Sequence, residues 1–201
     1  MPRAWDNVSS FLALIASYES TTSKTYFFVT TKTGTYTNYT ALMKCVVALV
    51  EAPLVPATEF SLAAAFQVSL NYDPSSTNKI TPFDFAFLFG VTPYPTKGNA
   101  VILQQLQTAF VNVVLTGAEG GISNAILFGG TTMDGRDFTY WYAVDWVQIN
   151  VDLDVSNEVI NGSNNPINPL YYNQDGINRL QAVAARTVSS GITFGMILGT
   201  V

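Results

Sequence analysis

Thr132-Met133-Asp134-Gly135-Arg136-Asp137 runs straight into Phe138-Thr139-Tyr140-Trp141-Tyr142, and from Val147 to Val155 apolar and polar residues alternate without a break. The Asp-Gly pair predicts a tight turn, because glycine supplies a left-handed backbone at no steric cost. The alternating stretch fits two periods. Val147, Ile149, Val151, Leu153 and Val155 set against Gln148, Asn150, Asp152 and Asp154 fit period two, and their β-branching favours a half-buried strand. The same stretch also fits a helix with two apolar stripes, one of Tyr140, Val144, Val147, Val151 and Val155, the other of Trp146, Ile149 and Leu153. The residues alone favour the strand.

Downstream, Asn161 to Pro169 reads as a loop. Asp175 is the expected N-cap of a helix whose face carries Ile177, Leu180, Ala184 and Val188. Gly191 is placed just past its end, and Ile192 to Leu198 as a closing strand. Upstream, Asp6 or Asn7 is expected to cap a first helix with Phe11, Leu12, Ile15 and Ala16 on one side, broken by Ser20 to Ser23. Lys24 to Thr31 reads as a buried strand, Thr33-Gly34-Thr35 as a turn, and Tyr39 to Lys44 as a short helical link. Cys45 to Val50 is a continuous apolar run of strand length, of the kind buried on both faces of a sheet.

Ser61 to Val68 or Leu70 is Ala-rich and predicts a helix. Asn71 to Asn78 reads as a loop, Phe83 to Phe89 as another buried strand, and Gly98-Asn99 as the start of a helix striped by Val101, Leu103, Leu106 and Phe110. Asn112 to Thr116 and Ala125 to Phe128 are strands on either side of the Gly-rich turn Gly117 to Gly121. Alternating buried strands and helices predict an α/β layered domain, with a mixed, largely buried sheet flanked by helices. No internal repeat or dividing linker is apparent, so residues 1–201 read as a single domain.

The 201 residues carry 9 Lys+Arg against 14 Asp+Glu, a net charge of −5, and charged residues make up only 11%. An average soluble domain has about 25%. Here Asn, Thr and Ser fill the polar positions, as suits surfaces held in large permanent contacts where charge is costly to desolvate. An uncharged secreted protein fits the composition equally. Nucleic-acid binding, which depends on neutralising phosphates, is not expected. No apolar run approaches the roughly 20 residues of a membrane span, so membrane insertion is not expected either, and no signal-peptide pattern is visible.

There is no histidine and one cysteine. That removes Ser-His-Asp and Cys-His catalysis, His-ligated metals and Cys-rich zinc sites. Cys45 reads as a small buried hydrophobe. Gly117-Ala118-Glu119-Gly120-Gly121 lacks the Lys-Ser/Thr of a phosphate loop. Asp134, Asp137, Asp145, Asp152 and Asp154 invite comparison with paired-acid hydrolysis, but turn-forming and solvated roles account for them, and no cofactor is expected. Tyr140, Trp141, Tyr142 and Trp146 suit core or interface packing better than sugar stacking.

Leu127-Phe128-Gly129-Gly130-Thr131-Thr132-Met133-Asp134-Gly135-Arg136-Asp137 resembles the strand and Asp-Gly turn of contractile phage tail sheath and sheath-like proteins. In that family an aromatic-rich helix with an Asp-Trp pair follows, here Asp145-Trp146. Then come a Tyr-rich stretch and a Gly-Ile helix start, similar to Tyr171-Tyr172-Asn173-Gln174-Asp175-Gly176-Ile177, and an ending similar to Gly191-Ile192-Thr193-Phe194-Gly195. Glu59 to Ser69 and Phe83 to Pro93 resemble upstream elements, so the likeness spans Lys24 to Val201 as an ordered series. It implies a tail sheath-like α/β domain in which Val147 to Val155 is helical.

The resemblance further implies a structural, non-enzymatic subunit of the virion tail, assembled in the bacterial host cytoplasm. It would polymerise helically around the tail tube and contract during penetration of the host envelope. Its partners would be copies of itself, the tail tube protein, and baseplate and tail terminator proteins. Arg136, Tyr140, Trp141, Asp145, Trp146 and Arg179 are the expected subunit-interface residues. Sheath subunits are usually longer, with strand-exchanging arms, so the chain is expected to be a core or fragment of one. The rival expectations are another virion part (tail tube or baseplate) and a small-molecule or carbohydrate-binding α/β protein using Asp134, Asp137 or Asp145.

Overall fold

A computed structural model describes residues 3–19, 24–39, 43–53, 73–88, 90–96, 98–116 and 124–199. The chain divides into two compact units, one of Met1–Tyr72 with Pro82–Thr139 and one of Asp73–Thr81 with Tyr140–Val201. The fold is mixed α/β, with a small parallel and a small antiparallel sheet and four α-helices among the described residues. The expected helix over Ser61 to Leu70, the break at Ser20 to Ser23 and the turn at Gly117 to Gly121 lie outside the described residues, as do Phe89 and the first two residues of the Asn71 to Asn78 loop.

In the first unit, β1 (Phe27–Thr31) pairs in parallel with β2 (Val46–Val50), from Phe27↔Val46 to Thr31↔Val50. Every residue of β2 is buried, as its unbroken apolar run requires. β3 (Val113–Thr116) pairs antiparallel with β4 (Ala125–Phe128), from Val113↔Phe128 to Thr116↔Ala125. The two sheets are tied by a parallel bridge, Leu49↔Asn112. Asn112 is fully buried, and its amide nitrogen donates to the carbonyls of Ala48 (2.9 Å) and Thr131 (2.8 Å). Its side-chain oxygen accepts from the Thr131 N–H at 2.9 Å. One neutral side chain thus satisfies the backbone where the ladders change partner, which an apolar residue could not do.

Helix α1 (Ser9–Ser17) and helix α2 (Ala100–Thr108) bury Phe11, Ile15 and Leu106 in a core with Val29, Val46, Ala48, Val50, Val113 and Met133. Full burial of Ile15 or Leu106 contributes about 1.5–3 kcal/mol each. Asn99 caps α2, accepting from the Ile102 N–H. The α2 stripe is displaced from expectation: Ile102, Leu103, Leu106 and Ala109 face the core, while Val101 is 67% exposed.

Neither Asp6 nor Asn7 caps α1. The N-cap is Val8, without a side-chain bond. Asp6 is instead buried, its carboxylate accepting from Thr31 Oγ1 (2.7 Å), Thr35 Oγ1 (2.5 Å) and Tyr39 Oη (2.8 Å). Three hydroxyl donors offset the cost of taking that carboxylate out of water, a stronger claim on it than one helix N–H. They also pin the turn at Thr33-Gly34-Thr35, which forms as expected. Most of the helical link expected at Tyr39 to Lys44, residues 40–42, lies outside the described residues; a 3-10 turn, Tyr36–Tyr39, leads up to it.

Phe83 to Leu88, the described part of the strand expected at Phe83 to Phe89, is not a regular strand. Phe85 N–H donates to the Leu127 carbonyl, and Leu127 N–H donates to Ala86, so two residues oppose one. This is a β-bulge whose first position, usually glycine, is held by Phe85 at φ +63°.

The second unit contains α3 (Phe138–Ser163), whose first two residues belong to the other unit, and α4 (Gln174–Thr193). The strand favoured by period two at Val147 to Val155 is helix. Two residues apart on a helix lie about 200° apart, so strict alternation also produces two opposite stripes. The stripe of Val147 and Val151 is half-buried. The helical pairing is antiparallel: Glu158 meets Arg179, Asp154 accepts from Thr187 Oγ1 (2.5 Å), and Trp146 packs edge-on against Phe194 with centroids 5.6 Å apart.

α3 continues through Asn161 to Ser163, shortening the expected loop. The N-cap of α4 is Asn173, which accepts from the Gly176 N–H at 3.0 Å; Asp175 sits in the first turn, where it complements the helix dipole. The buried face of α4 is Gly176, Val183, Thr187 and Gly191, with Ile177 and Val188 exposed, so the face is rotated from the expected one. Gly191 lies within the last turn. The left-handed residue is Gly195 (φ +79°), where Met196 N–H bonds to the Gly191 carbonyl and Gly195 N–H to that of Ile192. This paired closure ends the helix. The strand expected at Ile192 to Leu198 is therefore absent: its first residues complete α4, and no strand lies in this unit among the described residues for it to pair with.

Candidate functional site

The Thr132 to Asp137 turn forms as expected. Gly135 N–H bonds to Thr132 O (3.0 Å), Thr132 N–H to Arg136 O (2.9 Å), and Gly135 has φ +83°, the pattern of a tight hairpin with a glycine bulge. Asp134 Oδ1 accepts from the Arg136 N–H at 3.0 Å and from the Thr132 hydroxyl, so this carboxylate is engaged in holding the turn. Asp145 is buried and Asp154 is bonded to Thr187. No group of three or more His, Cys, Asp or Glu residues able to hold a metal occurs among the described residues.

Cys45 is buried, and its thiol is pushed up to about 12, first by burial and then by its bond to and the charge of Glu19. That carboxylate accepts from the N–H groups of Lys44 (2.8 Å) and Cys45 (3.0 Å), fixing the start of β2. A thiol held protonated is a poor nucleophile. Tyr39 is also raised, by burial and then by its bond to Asp6.

The six expected interface residues are divided between the units. Arg136 is exposed in the first. In the second, Tyr140 is 46% exposed and meets Trp141 edge-on at 5.1 Å, while Trp146 packs on Phe194. Asp145 is buried, and Arg179 binds Glu158 and donates to the Asn168 carbonyl at 3.1 Å. Trp146 and Arg179 therefore hold the two helices together.

The large apolar surface lies elsewhere. Ile149, Leu153 and Ile160 are 47%, 54% and 59% exposed. They recur at i, i+4 and i+11, one face of α3, about 200° from the face that meets α4. Ile149 and Leu153 belong to the second stripe read from the sequence; Ile160 extends it by two turns. A second apolar site is the loop joining the helices, where Ile167, Tyr171 and Tyr172 stand in solvent. Sequence reasoning passed over it, although apolar residues in a charge-free Asn/Pro loop were a readable signal. In the first unit an open depression of about 710 Å³ is lined by Tyr36, Val101, Gln104, Gln105, Thr108 and Ala109, none of them charged. No helix among the described residues is long and apolar enough to cross a membrane. No protein-family model, curated protein or solved structure matches this chain.

Proposed function

We propose that this chain is a structural subunit of a contractile phage tail sheath, polymerising helically around a tail tube and shortening as the envelope of the host is breached. The observation that carries the reading is the α3 row Ile149, Leu153 and Ile160. A helix apolar on opposite faces needs cover on both, and α4 supplies only one. Covering the exposed halves of these three side chains contributes about 3 kcal/mol in total. A chain with only 11% charged residues fits the same role, since little charge is desolvated on contact. The ordered likeness from Lys24 to Val201 directs this self-association toward the sheath.

Contraction in this role uses no reactive group. Two packings of one subunit differ in free energy, and a gap of about 1.4 kcal/mol, tenfold in one copy's equilibrium, is multiplied by the number of copies. The tube, baseplate and terminator proteins are the remaining proposed partners. A hydrolytic reading has less support, because Asp134 is engaged in its turn, Asp145 is buried, and neither lines the depression on α2. Negative-stain microscopy of the purified chain tests the proposal: tubes or stacked rings are expected, and uniform single particles at high concentration overturn it.

A further inference from the structure

Two features of opposite shape remain after the α3 row is assigned. From Ser163 to Gln174 no residue is charged, yet the loop is firmly built. Asn165 Oδ1 accepts from the N–H groups of Ile167 (2.9 Å) and Asn168 (3.1 Å), and Leu170 N–H bonds to the Gly162 carbonyl at 3.0 Å. Arg179 holds the Asn168 carbonyl. On this framework Ile167 is 93%, Tyr171 63% and Tyr172 112% exposed. The backbone presenting these groups is held in place by the fold, so the loop itself carries little further ordering cost on binding.

The depression on α2 is the concave counterpart. It is a shallow, open hollow of about 710 Å³, a contact surface for protruding side chains and not an enclosed ligand cavity. Its walls combine the apolar Val101 and Ala109 with the amides of Gln104 and Gln105, and those amides can donate to and accept from phenolic hydroxyls. Neither surface bears a charge, so bringing them together desolvates no ion.

We infer that the Ile167–Tyr172 loop of one copy seats in the α2 depression of the next copy. This rests on the self-assembly proposed above and specifies one of its contacts. The contact is heterologous, tip to hollow, and such contacts propagate into rings or open helical arrays instead of closing as a two-fold pair. Two tyrosines and an isoleucine offer on the order of 400–500 Å², about half of the roughly 800 Å² per partner of a stable interface. The junction is therefore weak alone and effective when repeated alongside the α3 row.

The test uses Tyr172→Glu and Gln104→Glu in the whole 201-residue chain, with Gln107→Glu, which does not line the depression, as a control, followed by sedimentation velocity. All three sites are exposed, so thermal melts match the wild type. Tyr172→Glu and Gln104→Glu each raise the concentration needed for assembly by about tenfold or more, and Gln107→Glu does not. A mixture of the two variants retains one intact tip and one intact hollow per pair, and associates more at a given concentration than either variant alone. If the wild type assembles and both variants assemble equally well, the inference is overturned while self-assembly stands. If the wild type stays monomeric, both fall. If wild type binds phosphatidylcholine vesicles and Tyr172→Glu does not, the tip belongs to a lipid surface and the inference is overturned.

Discussion

Replacing Asn112 by alanine removes three hydrogen bonds from a fully buried site. The Ala48 carbonyl keeps a partner, because the Asn112 backbone N–H also reaches it at 2.9 Å. The N–H and carbonyl of Thr131 lose the bonds that the side chain supplied. Each orphaned group costs about 1–3 kcal/mol, and taking the lower half because Thr131 is only part-buried gives about 2–4 kcal/mol before the lost packing is counted. For a chain of this length that corresponds to a fall in Tm of roughly 5–15 °C. Asn112→Asp is the sharper probe: its shape is kept, one oxygen still accepts from Thr131, but the other now faces two carbonyls with no proton to give. Urea unfolding followed by circular dichroism should therefore place Asp no better than Ala. A loss under about 1 kcal/mol for Asn112→Ala, or wild-type stability for Asn112→Asp, refutes the clamp as the link between the sheets.

Three further outcomes are expected. Because the fold raises the Cys45 thiol to about 12, its contribution to stability is whole below the unfolded thiol value and is lost as pH climbs from there toward 12; urea midpoints across that window should fall more steeply in the wild type than in Cys45→Ala. Phe85→Gly should stabilise the first unit by about 1 kcal/mol, since Phe85 is 60% exposed and a left-handed backbone suits glycine; an unchanged or lowered melting temperature counts against the strained bulge. Gly195→Ala should cost about 1 kcal/mol from its φ alone, because the nearest atom to an added Cβ, on Lys79, lies at 3.6 Å, and a hydrogen-exchange profile should show fraying confined to the end of α4.

The elements most legible in the sequence were those whose local chemistry admits one solution. The apolar run at Cys45 to Val50 has nowhere to go but a doubly covered strand, and Asp134-Gly135 has to turn. Phe11 and Ile15 face the core as their spacing requires. Readings failed where a distant partner decided. Asp6 had a local use as a cap, but three hydroxyls from residues 31 to 39 outweigh a single helix N–H. Alternation at Val147 to Val155 fits a strand with its five apolar residues on one face and equally a helix with them split between two opposite faces, so the pattern alone does not separate the two. The closing strand was misread because Ile192 to Leu198 is apolar enough for a sheet, while Gly195 and the carbonyls of α4 complete a helix cap. The resemblance, by contrast, implies the helix at Val147 to Val155 that periodicity sets aside.

At the site level, Trp146 and Arg179 look like surface anchors only until α4 is laid alongside α3. Asn112 gave no signal at all, because a buried amide in a strand is chosen by the ladders around it and not by its neighbours in sequence.

The central claim is that this chain acts through surfaces that meet other copies of itself, and Leu153→Glu addresses it most directly. Leu153 is 54% exposed, so the substitution should leave the fold within about 0.5 kcal/mol of wild type. Sedimentation velocity over a concentration series should show the wild type growing into large assemblies and Leu153→Glu remaining small. A single monomeric boundary for the wild type at every concentration, or assemblies indifferent to the new charge, contradicts the account.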